Sequence, residues 1–245
     1  MIIFFSATGN CRYVASEIAK ATEDYIVSIL DIDGEICLRQ GENLGIVTPT
    51  YYWGLPSIVN EFFEGIRIVG AKDSYVYYIA TYGTTSGQTG TFVQRHLRKQ
   101  GMRLNARYSV KMPDSWTPTY DLSNPRKVAE INQKELPQIQ KIAAHIQNRD
   151  CGDYMRAKVP MAAVRIFNPL YEGVRNTSHF HVEDSCIGCG ICAKNCPVQA
   201  IKIQEKKPVW MKKQCTMCLG CLHRCPKFAI QYGRNTKKHG QYVHP

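Results

Sequence analysis

The chain has 245 residues, with 31 basic and 20 acidic side chains for a net charge of +11, and 44% of its residues are hydrophobic against 21% charged. Those fractions belong to folded globular protein and exclude global disorder. The longest uncharged stretches, Asn43–Asn60 and Ser74–Gln94, are interrupted by Pro49 and Pro56 in one case and turn Thr/Gly/Ser-rich in the other, so neither reads as a membrane span.

The chain opens on the strand-like Met1–Phe5, with no basic region before it and no small-residue cleavage site after it, which carries the expectation of the cytoplasm. From there to about residue 148, short apolar runs alternate with helical periodicity. The runs predict strands at Ile2–Phe5, Tyr25–Leu30, Leu44–Thr48, Tyr75–Ala80 and Arg107–Met112. Helices are predicted at Asn10–Ala21, Ser57–Glu64, Gly90–Gln100 and Pro125–Asn148, the last with a break at Pro137. The piece after Asp31 yields no second helix. Strands alternating with helices imply right-handed βαβ units around a buried parallel sheet. Residues 149–177 carry no regular pattern, although Met161–Phe167 is apolar apart from Arg165 and reads as a docking segment or a connector.

The texture changes from about His179. Of eleven cysteines, Cys11, Cys37 and Cys151 are scattered, while eight lie between Cys186 and Cys225. In a reducing compartment such a density points to metal ligation rather than disulfides. Charge is equally uneven: residues 1–150 hold 16 basic and 15 acidic side chains, residues 151–245 hold 15 and 5. A basic half suits nucleic acid, an acidic partner or a bound anionic cofactor.

Cys186, Cys189, Cys192 and Cys196 recur 29 residues later as Cys215, Cys218, Cys221 and Cys225, and Pro197 and Ala200-Ile201 recur as Pro226 and Ala229-Ile230. Half-units this short cannot bury a core alone, so two packed halves are expected. In Cys-x2-Cys-x2-Cys-x3-Cys-Pro, three thiolates on a tight loop reach three corners of one iron–sulfur cube, and the fourth reaches the other cube. The first cluster therefore takes Cys186, Cys189, Cys192 and Cys225, and the second takes Cys215, Cys218, Cys221 and Cys196. Gly188, Gly190 and Gly220 are expected to keep the loops tight. Structural zinc also uses Cys-x2-Cys pairs, but nothing in its chemistry calls for the third cysteine or for Cys-Pro. Residues from about 178 to 235 resemble the bacterial two-cluster ferredoxins, which implies low-potential one-electron transfer and two [4Fe-4S] clusters. Lys194, Lys202, Lys206, Lys207, Lys212, Lys213, Arg224 and Lys227 then read mainly as counter-charge.

At the other end, Ser6-Ala7-Thr8-Gly9-Asn10-Cys11 sits where the first strand hands over to the first helix, a natural phosphate cradle. Pro49-Thr50-Tyr51-Tyr52-Trp53-Gly54 follows the third strand and Thr81-Tyr82-Gly83 the fourth. In a sheet of order 2-1-3-4-5 these loops meet at the topological switch point, where aromatic side chains suit a flat ring. The combination resembles the flavodoxin family over residues 1–148. That resemblance implies a doubly wound α/β sheet and FMN, with phosphate on Ser6, Thr8, Gly9, Asn10 and Cys11 and the isoalloxazine between the two later loops. Cys11 departs from the hydroxyl residue common there, so binding would lean on its backbone N–H. The 12-residue loop Pro113–Asn124, with Trp116 and Tyr120, follows the fifth strand and lines the flavin or a domain interface, or else is a surface excursion.

Together the halves resemble flavodoxin–ferredoxin fusion proteins: a flavodoxin-like domain at 1–148, a connecting segment at 149–177, and a small α+β two-cluster domain with a basic tail at 178–245. The role implied is relaying single electrons between two [4Fe-4S] clusters and FMN, with an acidic ferredoxin-like partner. The alternatives are an FMN-dependent reductase of a quinone-like or nitro acceptor and a basic nucleic-acid-binding regulator. No catalytic acid or base is demanded; His179 and His181 read as an exposed strand edge, and His96 and His145 as surface or packing residues.

Overall fold

The computed structural model describes residues 1–71 and 73–244. The chain begins with β1 (Ile2–Phe4), α1 (Asn10–Thr22) and β2 (Ile26–Ser28), then β3 (Glu35–Cys37), β4 (Asn43–Pro49), α2 (Ser57–Gly65) and β5 (Arg67–Val69). It continues through β6 (Tyr75–Tyr82), α3 (Thr89–Lys99), β7 (Ala106–Lys111), α4 (Pro125–Gln147) and the two-residue β8 (Gly152–Asp153). The central sheet runs β2-β1-β4-β6-β7-β8 with every pairing parallel. This is the predicted 2-1-3-4-5 order with one further edge strand, contributed by the segment in which no regular pattern was legible.

The sheet is buried on both faces, as parallel sheets are. Along β6, Val76, Tyr78 and Ala80 join a core with α2 and α3, while Tyr75, Tyr77 and Ile79 join the opposite core with α1 and α4. The alternation is the strand period of two, and both registers are apolar or aromatic. Tyr25–Leu30 shortens to Ile26–Ser28 because the Ser28 hydroxyl accepts from the Leu30 amide at 3.2 Å and starts a 3₁₀ turn at Ile29–Asp31. The ambiguous piece after Asp31 supplies β3, which pairs in parallel with β5 in a separate two-stranded sheet.

The expected break at Pro137 does not occur, and α4 is continuous from Pro125 to Gln147. Pro137 and Gln133, whose carbonyl loses its partner, are both exposed, so water can satisfy the freed group. The helix begins at Asn124, whose side chain accepts from the amides of Arg126 and Lys127.

Beyond β8 come α5 (Met161–Phe167) and α6 (Leu170–Val174). The cysteine-dense half then adds β9 (Phe180–Val182), α7 (Ile191–Lys194), β10 (Ile201–Gln204), β11 (Lys207–Trp210), α8 (Gly220–His223), β12 (Ile230–Tyr232) and α9 (Thr236–His239). α7 and α8 repeat at the motif offset and pack against each other. β9 pairs with β12 and β10 with β11, both antiparallel. His181 lies exposed in β9 as expected of a strand edge, whereas His179 ends the 3₁₀ turn Thr177–His179 that precedes the strand. Among the described residues no helix is long and apolar enough to cross a membrane. Pro245, the last residue of the basic tail, lies outside the described residues.

Candidate functional site between the two halves

The loop after β1 delivers Gly9 in the left-handed region (φ 97°) and then the first turn of α1. Among the described residues no side chain caps that turn, and it holds no acidic residue. Two buried hydroxyls, Ser6 Oγ and Thr50 Oγ1, have no hydrogen-bond partner among the described residues. Orphaned donors at a helix N-terminus are what a phosphate group satisfies. Cys11 turns its thiol inward, against Thr81 Oγ1 at 3.1 Å, and burial pushes it up to about 12, so neither nucleophilic nor phosphate chemistry falls to that side chain.

A cavity of about 300 Å³ opens beside this loop at the carboxyl edge of the sheet. Of the residues expected to hold a flavin, Asn10, Pro49, Thr50, Tyr51, Tyr52, Trp53, Thr81, Tyr82 and Gly83 wall it, while Ser6, Thr8, Gly9, Cys11 and Gly54 lie off its surface. Tyr52 and Trp53 both take positive φ, 45° and 65°, in the tight turn closed by Tyr51 and Gly54. Left-handed aromatic residues carry strain that clusters at binding sites. Asn168, just after α5, donates to the Tyr52 carbonyl at 3.0 Å, and Phe167 packs edge-on against Trp53 at 4.7 Å.

The opposite wall comes from the cysteine-dense half. Tyr171 stacks on Tyr52 at 5.8 Å, donates to the Thr216 carbonyl at 2.6 Å and receives the Ser57 amide at 3.3 Å, joining the N-terminus of α2 to the second cysteine loop. Met217, Cys218 and Leu219 complete that wall. Where the first motif has Gly188 and Gly190 at positive φ, the second has Met217 (φ 54°) and Leu219 (φ 53°). The second loop thus keeps the same backbone and gains two buried apolar side chains for the cavity. Gly220, expected with Gly188 and Gly190 to keep the loops tight, has no positive φ; a Cβ there would meet Cys218 Sγ at 3.6 Å and Ala7 at 3.7 Å.

The eight motif cysteines fall into two separate small pockets. Cys186, Cys189, Cys192 and Cys225 line one, and Cys196, Cys215, Cys218 and Cys221 line the other. No cysteine is in a disulfide. The Ala229 amide donates to Cys225 Sγ at 3.3 Å and the Ala200 amide to Cys196 Sγ at 3.2 Å, the same bond in each repeat. Burial raises the Cys218 thiol to about 12 and Cys221 well above its usual value, so thiolates there need the positive charge of bound iron. The residues therefore fit iron–sulfur ligation.

The halves are joined at the phosphate loop as well. Arg224 Nε donates to the Ala7 carbonyl at 2.9 Å. His223 donates from Nε2 to the Ser115 carbonyl at 2.8 Å and accepts the Tyr242 amide at Nδ1, a neutral tautomer held by burial, which lowers its pKa to about 4. The basic tail does not project into solvent: the buried Tyr242 hydroxyl donates to Asn10 Oδ1 at 2.7 Å, the His244 amide to the Thr8 carbonyl at 2.7 Å, and the His244 ring stacks on Tyr13 at 4.1 Å. Tyr232 and Tyr242, the tail's aromatic residues, are buried and unable to stack on bases. Sequence reasoning missed Tyr171, Met217, Leu219 and the tail contacts and read Arg224 only as counter-charge, all of which depend on how the halves meet; it also missed Asp114, whose contacts lie within the N-terminal half.

The site is that of an iron–sulfur flavoprotein for electron transfer. Residues 1–138 match the family described as flavodoxin domain and residues 185–238 the one described as 4Fe-4S dicluster domain. The chain belongs to the flavodoxin domain family, fused to a 4Fe-4S dicluster domain. It is 41% identical over 49 residues to a subunit of the ion-translocating oxidoreductase complex of Methanosarcina acetivorans, covering 20% of this chain and 19% of that one. It is 50% identical over 36 residues to the pyruvate synthase subunit PorD of Methanothermobacter marburgensis, covering 15% and 44%. The chain thus spans less than half the length of either relative. A solved structure titled "flavone reductase" aligns over 86% of this chain and 80% of its own, at 12% identity and a TM-score of 0.38.

Proposed function

We propose that the chain relays single electrons from an external carrier protein, through two [4Fe-4S] clusters, to FMN held between its halves. Residues 1–148 form the flavin unit, 149–177 the connection and 178–245 the cluster unit. One observation carries the reading: Cys218 belongs at once to the second thiol pocket and to the wall of the flavin cavity. The cluster on Cys196, Cys215, Cys218 and Cys221 is then the proximal one, and that on Cys186, Cys189, Cys192 and Cys225 the distal one. Bound there, the clusters supply one-electron steps and the flavin converts them to two-electron chemistry.

The chain's own residues do the rest. Ser6, Thr50 and the leading amides of α1 hold the phosphate, Tyr52 and Tyr171 offer aromatic surface to the ring, and Met217 and Leu219 keep water from the space between flavin and proximal cluster. His244, covering Gly9, closes the phosphate end and favours a mononucleotide over a dinucleotide. At the distal pocket Cys189 is exposed, as are Ile187 and Ile191, with Lys194, Lys202, Lys206 and Lys227 exposed on the surrounding elements. An apolar patch with a basic rim suits brief docking of an acidic one-electron carrier.

Anaerobic stopped-flow mixing with a reduced acidic ferredoxin tests the relay. Iron–sulfur bleaching is expected before flavin bleaching, at a rate that falls steeply with salt; flavin bleaching first, at a salt-independent rate, overturns the order. Steady turnover with a quinone or nitro compound in the same assay would favour the reductase reading over the carrier.

A further inference from the structure

The flavin cavity is walled by aromatic, hydroxyl and apolar residues, and among the described residues of that wall one alone ionises as a carboxylic acid: Asp114, in the loop after β7. Its carboxyl lies directly against Gly83, where any Cβ would come within 2.2 Å of Oδ2. The site therefore reserves space for this group. Oδ1 accepts from the Trp116 amide at 3.1 Å and Oδ2 from Thr84 Oγ1 at 3.4 Å; Thr84 Oγ1 in turn meets the Tyr120 hydroxyl at 3.1 Å and is exposed to solvent.

We propose that Asp114 is the proton-exchange group of this site, giving its proton to the flavin as an electron arrives from the clusters and regaining one from solvent through Thr84 and Tyr120. The inference rests on the flavin reading above and adds to it a residue and a step. Adding an electron to a ring whose walls carry no cationic side chain among the described residues places a negative charge there with no fixed counter-charge, and a proton that comes with it lowers the cost. The step balances: one electron leaves the reduced proximal cluster, which the external carrier refills; the O–H bond of Asp114 breaks and a bond from that hydrogen to a ring nitrogen forms. Asp114 is left as carboxylate, and water returns its proton.

Burial holds the Asp114 carboxyl above the usual carboxylate range, only partly offset by the two hydrogen bonds it accepts, so the acid survives to a pH where an exposed aspartate has lost its proton. The groups facing it are Tyr120 on its own loop, Tyr82 on β6 with Arg156 and Glu135 beyond it, Tyr52 and Tyr171 across the cavity, Cys218 on the cluster loop and neutral His223 behind Ser115. Among the described residues neither Arg156 nor Glu135 bonds Asp114, and burial raises Tyr52, Tyr82 and Tyr171 further above the neutral range, so a break just above the usual carboxylate range belongs to Asp114.

The test uses the whole, flavin-loaded chain with Asp114→Asn and Thr84→Val. Infrared difference spectra of reduced minus oxidised protein should show loss of a protonated-carboxyl band in the native chain and none in Asp114→Asn. The flavin midpoint plotted against pH should break above the usual carboxylate range in the native chain, lose that break in Asp114→Asn and move it to higher pH in Thr84→Val, because the hydroxyl favours the carboxylate. Identical spectra and plots in the native chain and Asp114→Asn overturn the proposal while leaving flavin binding intact. If Asp114→Asn does not fold, an unmoved break in Thr84→Val overturns it instead. A native chain that binds no flavin, seen beforehand in its absorption spectrum, overturns the flavin reading and this proposal together.

Discussion

Cys225→Ser is expected to remove the distal cluster, not the one bound by the motif in which it lies. Cys225 closes the second motif in sequence, but its thiol shares a pocket with Cys186, Cys189 and Cys192. Cys196→Ser is the mirror experiment, since Cys196 closes the first motif and shares a pocket with Cys215, Cys218 and Cys221. Each variant should retain about four of about eight irons per chain. The remaining signal in low-temperature electron paramagnetic resonance should differ between the two. Cys196→Ser should also perturb the flavin absorption, because its pocket borders the flavin cavity through Cys218 and Leu219; Cys225→Ser should leave it unchanged. Loss of the same signal from both variants would contradict the exchange of ligands between repeats.

The second large effect is expected at Gly9. A side chain there meets two independent obstacles. At φ 97° an L residue carries left-handed strain of about 1–2 kcal/mol. Its Cβ would also lie 2.7 Å from His244 Cβ and 3.1 Å from the His244 amide nitrogen, forcing the tail off the phosphate loop. Gly9→Ala should weaken FMN binding by roughly tenfold to a hundredfold, on the scale at which 1.4 kcal/mol is a factor of ten. Removing Tyr242–Pro245 separates the two causes. In the shortened chain the tail contact is already gone, so Gly9→Ala should cost less there than in the full chain, leaving only the backbone strain. Fluorescence titration of FMN into the four proteins measures this directly; equal losses in long and short chains would show that the tail plays no part in the site.

Those two positions mark the range of what the amino-acid order disclosed. The cysteine repeat specified its pockets because ligand spacing is local and chemically strict. Apolar runs of strand length between amphipathic helices predicted a parallel sheet, the 2-1-3-4-5 order came with the resemblance to the flavodoxin family, and that order brings together the ends of the strands that the aromatic loops follow. What was not legible depended on contacts of long range. Tyr171 sits in a segment without periodicity and acquires its role only by reaching Ser57 and Thr216 at once. Met217 and Leu219 occupy positions where glycine is the usual choice, so their backbone conformation hid behind ordinary side chains. The tail was legible only as basic, through Arg234, Lys237 and Lys238; the residues that anchor it, Tyr242 and His244, gave no sign of a partner in the distant phosphate loop. Pro137 was read as a break by a rule that assumes the orphaned carbonyl is buried, and here it is not.

Asp114 was hidden for a related reason. Within Pro113–Asn124 the aromatic residues draw attention, whereas a single carboxyl gains meaning only from an uncharged cavity around it.

The measurement closest to the central claim is the iron, acid-labile sulfide and flavin content of the chain purified without oxygen. About eight iron, about eight sulfide and about one FMN per chain is the result the two thiol pockets and the single phosphate loop predict. Protein that carries zinc or no metal at these cysteines, and no flavin after incubation with FMN, would contradict the account at its base.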